Sequence, residues 1–184
     1  MIKKILYKFF KTDWKKNYLK TLVNNGLQVG ENFSIQQGCI IDESHCWHIK
    51  IGDNVTLAPH VIILAHDGGT FQIVGYTKVK NVEIGNNVFI GARSIVLPGV
   101  KIADNIIIGA GSTVTKSLEI EGIYVGTPAK LIYTLQDYKD NLKNEMEKAD
   151  FFDEKYTLRN KDFTADMRAE MIKSCDLNGK LFVK

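Results

Sequence analysis

The 184-residue chain is short of cysteine and has no long apolar run. Its three cysteines, Cys39, Cys46 and Cys175, form an odd and scattered set, which excludes a disulfide framework and suits a reducing cytoplasm. No stretch approaches the roughly 18 apolar residues of a membrane span. Behind Met1-Ile2-Lys3-Lys4 the apolar stretch is broken by Lys8, Lys11, Lys15 and Lys16, and no small-residue cleavage site follows, so no secretory leader is expected. The expected location is the cytoplasm. Charge of one sign is scarce as well: the net charge is +3, and no aromatic-plus-basic pattern marks a nucleic-acid partner. A hydrophobic share of 45% and a charged share of 24% are those of an ordinary globule, long enough to bury a core without staples.

What the chain does have is a beat of six. From Ile84 it runs Ile84-Gly85-Asn86-Asn87-Val88-Phe89, Ile90-Gly91-Ala92-Arg93-Ser94-Ile95, Val96-Leu97-Pro98-Gly99-Val100-Lys101, Ile102-Ala103-Asp104-Asn105-Ile106-Ile107 and Ile108-Gly109-Ala110-Gly111-Ser112-Thr113. An aliphatic residue opens each block, a small residue often follows, and a small or aliphatic residue stands fifth. Neither the 3.6 of an α-helix nor the alternation of a two-faced strand has this period. A three-sided solenoid does: each block makes one flat face, three blocks make one coil, and coils stack at about 4.8 Å. Blocks at Ile51, Leu57 and Ile63, and weaker ones at Val29, Ile35 and Ile41, extend the solenoid toward the amino end.

The beat slips twice. Four extra residues lie between Ser44 and Ile51, and after His66 the block due at Gly69 opens only at Ile84, an excess of 15 residues. A solenoid accepts an insertion only as a loop on its side, where binding function collects. Three parts follow: a basic amphipathic cap over 1–26, a solenoid over 27–133 with a loop at about 67–83, and a helical extension over 134–184, all in one domain. The cap carries seven lysines in residues 1–20 and covers the open first coil, and membrane contact by it is not expected. In the extension, Leu135, Tyr138, Leu142 and Met146 share a helix face, and Met167, Met171, Ile172 and Cys175 mark a second helix bounded by Thr164 and Gly179; both stripes are expected to pack on the solenoid.

These blocks, with Ile108-Gly109-Ala110-Gly111-Ser112-Thr113-Val114-Thr115-Lys116 and Gly126-Thr127-Pro128-Ala129-Lys130, resemble the hexapeptide-repeat acyltransferases, and within them the maltose and galactoside acetyltransferase-like group. Cys46-Trp47-His48-Ile49-Lys50-Ile51-Gly52-Asp53, Ala58-Pro59 and Ile63-Leu64-Ala65-His66-Asp67 resemble the polysaccharide O-acetyltransferase branch. The resemblance runs from about Val29 to Ile132. It implies a mainly β fold, a left-handed parallel β-helix, assembled as a homotrimer with acetyl-coenzyme A in the groove between neighbouring copies.

Acetyl transfer from a thioester needs a base for the acceptor proton, a donor for the tetrahedral oxyanion and a hold on the coenzyme. His66 matches the family's catalytic histidine, and Asp67 beside it either orients the imidazole or belongs to the loop turn. Ala92 and Ala110, third in equivalent blocks one coil apart, match positions that lend main-chain groups to the pantetheine arm. Thr115 and Lys116 match contacts to the nucleotide end, and Lys130 offers a cation for phosphate, with Arg93 as a weaker candidate. Around the acceptor stand Asp42, as a partner for sugar hydroxyls, and His45 and Trp47, the ring of Trp47 suited to stacking on a sugar face. His48 departs from the family pattern, which has an aliphatic residue nearby. His60, fourth in its block, is a structural corner. No metal is expected, because the four histidines lack the spacing of a three-imidazole zinc site. The acceptor is expected to be a saccharide hydroxyl in bacterial capsule or O-antigen synthesis. A nucleotide-linked amino sugar is the alternative, and a non-catalytic scaffold at a membrane surface the alternative of another class.

Overall fold

A computed structural model describes residues 14–184. The sequence-derived cap falls partly on residues 1–13, which lie outside the described residues. Residues 14–24 form a helix, α1. Leu22 from this helix is 1% exposed within the main core, and the Tyr18 hydroxyl accepts the Ile41 amide at 2.9 Å.

Mostly two- and three-residue strands then follow at the beat of the sequence and fall in turn into three parallel sheets. The first sheet holds β1 (Gln28–Val29), β4 (Ile49–Ile51), β9 (Val82–Ile84) and β12 (Lys101–Ile102). The second holds β2 (Ser34–Ile35), β5 (Thr56–Leu57), β10 (Phe89–Ile90), β13 (Ile106–Ile108) and β15 (Gly122–Val125), with β16 (Lys130–Thr134) returning antiparallel at its edge. The third holds β3 (Ile40–Ile41), β6 (Ile62–Ile63), β11 (Ile95–Val96) and β14 (Thr113–Val114). Every third strand of the coil comes back to the same sheet, so residues of equal rank stack: Ile35 on Leu57, Ile90 and Ile108, and Ile41 on Ile63, Val96 and Val114. These block openers are at most 2% exposed and form the continuous core.

The corners explain the rest of the six-residue pattern. The fourth residue of a block takes a left-handed backbone, with φ between 55 and 62° at Asn32, Asn54, His60, Asn87, Arg93 and Asn105. Asparagine tolerates that region better than most side chains, because its short amide bonds locally. Here the amides also bond from coil to coil: Asn32 Nδ2 donates to Asn54 Oδ1 (2.9 Å), Asn54 to Asn87 (3.1 Å) and Asn87 to Asn105 (3.1 Å). Second-place glycines are required by stacking. A Cβ on Gly91 would stand 2.5 Å from the Ala110 amide nitrogen of the next coil.

The two slips become two excursions. The first is a 3-10 turn, Cys46–His48. In the second, the chain leaves at β7 (His66–Asp67), passes a short helix, α2 (Phe71–Val74), and returns through β8 (Lys78–Val79), antiparallel to β7. The Thr70 hydroxyl knits this arm together: it accepts the Lys78 amide at 2.9 Å and lies within 2.9 Å of the carbonyls of Asp67 and Tyr76.

The molecule divides into two compact units, one ending at Leu135 and one spanning Gln136–Lys184. The second unit has its own organisation. A parallel pair, β17 (Asp150–Phe152) and β18 (Leu181–Val183), accompanies α4 (Ala165–Asn178). Thr164 caps that helix by accepting the Met167 amide, and Gly179 ends it at φ 72°. The helix α3 (Leu135–Met146) begins at the boundary. Among the described residues no helix is long and apolar enough to cross a membrane.

Candidate active site

Asp42 follows β3, and Ala65 and His66 follow β6, the strand directly beside it in the third sheet. One coil thus sets the carboxylate over the start of the protruding arm. Asp42 is 3% exposed, and both its oxygens are engaged. Oδ2 accepts the amides of Ala65 (2.9 Å) and His66 (3.1 Å) and meets His66 Nδ1 at 2.5 Å. Oδ1 accepts the Ser44 hydroxyl at 3.0 Å. Burial by itself would raise the Asp42 pKa, but the Ala65 amide, the His66 ring and the Ser44 hydroxyl outweigh it and hold the carboxyl below its ordinary value.

An ionised carboxylate only accepts, so the neutral His66 ring must carry its proton on Nδ1, leaving the lone pair on Nε2. With its side chain 32% exposed, that ring is held from within and reachable from solvent. The same logic assigns the neighbouring ring. Ser44 gives its one proton to Asp42, so at 3.1 Å from His45 Nδ1 its oxygen accepts, and His45 is also an Nδ1–H tautomer. The His45 and His66 rings lie 4.7 Å apart between centroids. Trp47, 52% exposed, stands 5.5 Å from His45, while His48 Nδ1 is engaged with Asn81 Oδ1 at 2.6 Å.

The contacts of the two carboxylates differ in kind. The Asp42 oxygens face inward, engaged by main chain, Ser44 and His66. The Asp67 carboxylate pairs with Lys78 Nζ at 3.1 Å and accepts the Gly69 amide at 3.1 Å, capping the turn that starts the arm, the second of the two places open to it in the sequence. The Lys78 hydrogen bond is the main reason its pKa is lowered. Adjacent residues of an extended strand point to opposite sides, so residue 67 could not reach the Asp42 side of the ring.

Of the remaining candidates, Thr115 and Lys116 follow β14 and so stand at the same edge of the third sheet as His66, further along the stack, both exposed. Ala92 and Ala110 precede β11 and β14 and stand at the opposite edge, with the Ala92 carbonyl accepting the Gly111 amide at 2.8 Å. Lys130 is exposed at the start of β16. Arg93 occupies a left-handed corner, as does His60. Ser44 was missed in the sequence, where nothing but its place two residues after Asp42 marks it. The Asp42 pairing was legible in principle, since the beat aligns Ile41 with Ile63 and so brings residue 42 beside residues 64–66.

Residues 81–116 match the family described as "Bacterial transferase hexapeptide (six repeats)". Protein CapG of Staphylococcus aureus is 40% identical over 157 residues, covering 82% of this chain and 87% of CapG. Among solved structures, a maltose O-acetyltransferase from Clostridium difficile 630 is 38% identical with a TM-score of 0.50, the match covering 59% of each chain. A galactoside acetyltransferase in complex with coenzyme A is 32% identical with a TM-score of 0.56, covering 62% of this chain and 58% of that one. The chain therefore spans less than two thirds of those two structures.

Proposed function

Because this chain belongs to the hexapeptide-repeat acetyltransferases, which are acetyl-transferring enzymes, we propose that it moves acetyl from acetyl-coenzyme A to a saccharide hydroxyl. The setting is bacterial surface-polysaccharide synthesis, capsule or O-antigen, in the cytoplasm. The observation that carries the reading is the buried Asp42 carboxylate on His66 Nδ1, which leaves Nε2 as a base. His66 Nε2 takes the acceptor proton as the sugar oxygen attacks the thioester carbonyl. Asp42 steadies the resulting imidazolium, and the same proton then goes to the departing coenzyme thiolate. Transfer is direct, without an acyl-enzyme.

His45 and Trp47 flank the acceptor in this reading. Ala92 and Ala110 supply main chain to the pantetheine arm, Thr115 and Lys116 meet the nucleotide end, and Lys130 faces phosphate. His66 and the two alanines stand at opposite edges of the third sheet, so a second copy laid against that sheet would bring one chain's histidine to another's alanines. The outward residues of that sheet favour such a contact: Ile40 is half exposed, and Ile62 and Ile95 continue its apolar column. We therefore read the coil as a left-handed parallel β-helix and the active assembly as a homotrimer.

Thiol release from acetyl-coenzyme A, measured with a panel of neutral sugars and nucleotide-linked amino sugars, tests the reaction. Acetylation of the amino sugars alone would move the acceptor to an amine, and failure to bind coenzyme A by calorimetry would leave a scaffold. His66→Ala should lower turnover about 100- to 10,000-fold. Wild-type turnover in that variant would overturn the base assignment.

A further inference from the structure

We propose that Asp42, His45 and His66 also form a site for one divalent d-block cation, zinc foremost, and that its binding arrests the transfer. The arrest rests on the reading of His66 as base; the site does not. One donor atom from each of the three residues lies within 4.8 Å of the other two, in a cluster where the imidazoles are 32% and 26% exposed and the carboxylate is buried. Two imidazole nitrogens and one carboxylate oxygen are a donor set for zinc, copper or nickel, whereas magnesium and calcium take oxygen ligands.

The distances suit such an ion after small ring movements. Tetrahedral zinc with bonds of about 2.0–2.1 Å spaces its donors about 3.3 Å apart. His66 Nδ1 is now 2.5 Å from Asp42 Oδ2 and His45 Nδ1 is 3.9 Å from Asp42 Oδ1, so the two rings reach different oxygens of one carboxylate, and with one donor atom from each residue all within 4.8 Å of one another, the rings need only small turns to share one ion. The other groups beside the cluster do not compete: Ser44 can turn its hydroxyl aside, Trp47 offers only a ring, and His48 is held by Asn81. A fourth position stays open to water, as in zinc sites with three protein ligands.

The consequence for the reaction is a change of tautomer. A cation on Nδ1 takes the lone pair where the proton now sits, and that proton moves to Nε2 through solvent. No proton is lost, but the ring then presents an N–H to the acceptor in place of a base. His45 changes in the same way, and its hydrogen bond to Ser44 is given up. Metal and reaction therefore exclude each other at His66.

The test is calorimetric titration of zinc chloride into the full chain carrying Cys175→Ser, which removes the exposed thiol as a ligand. The result expected is one equivalent bound per chain, weakened at least about tenfold by His45→Ala and by Asp42→Asn and unchanged by His48→Ala. His45→Ala, in a partly exposed turn, stands as the decisive variant even where Asp42→Asn unsettles the coil. Zinc should also stop acetyl transfer in the unmutated chain, with full recovery on adding a chelator. No binding, or binding that survives His45→Ala unchanged, overturns the site. Binding with the expected dependence but undiminished transfer keeps the site and overturns both the arrest and the role of His66 as base.

Discussion

At the scale of single residues, the site is governed by where one carboxylate can put its hydrogen bonds. Asp42 takes two main-chain amides, a hydroxyl and an imidazole, and this couples the orientation of His66 to the stability of the coil. Its folded-state pKa lies below the ordinary value near 3.8, so its contribution to stability is present above that value and is lost as pH falls through the lowered one. Asp42→Asn should cost about 1–3 kcal/mol at neutral pH, since the buried amides keep at best a weaker acceptor. Urea unfolding should show that difference holding above about pH 4 and shrinking below it, as the wild-type carboxylate takes its proton. A difference that does not change with pH would show that the charge on Asp42 contributes nothing. The corners follow a related logic. His60 and Arg93 accept a left-handed backbone that mostly asparagine and glycine fill elsewhere, which marks both as turn residues whatever their charge suggests.

At the scale of elements, the informative piece is the arm that leaves at His66. It returns as a short antiparallel hairpin closed by Thr70, Asp67 and Lys78, so its base is ordered while Phe71, Ile73, Val74 and Tyr76 stay exposed near its tip. Thr70→Val keeps the shape and removes the oxygen on which the Lys78 amide rests. Hydrogen exchange at Lys78 should then report a local opening easier by about 1 kcal/mol, with global unfolding nearly unchanged. An unaltered exchange rate would mean that the two-strand pairing alone holds the arm. The C-terminal elements show how much local chemistry decides: Thr164 and Gly179 set the ends of α4, as their side chains and backbone freedom require.

At the scale of the whole molecule, stability of the coil is a sum of contacts between successive turns. Ile90 is fully buried and lies between Leu57 and Ile108 in the second sheet, so its loss is felt by the turns on both sides. Ile90→Ala should cost about 2–5 kcal/mol, seen as a lower urea midpoint. A loss under about 1 kcal/mol would mean that the stack closes over the cavity.

The sequence alone determined the three-faced coil, because a period of six admits no other packing of openers inward and small residues at the turns. It also marked both excursions, since a break in register has nowhere to go but sideways. Membership in the transferase family was legible there too, through the repeats and the context of His66. Only the tertiary structure decided which acid serves that histidine. Asp67 is next to it in the chain and points elsewhere, whereas Asp42, one coil away, is brought into contact by strand stacking. The same stacking gathered His45 and Ser44 beside them. It also left the two alanines at the far edge of the sheet, a separation that spacing along the chain does not express. Periodicity is a property of neighbours in sequence; the partners of a side chain are set by neighbours in space.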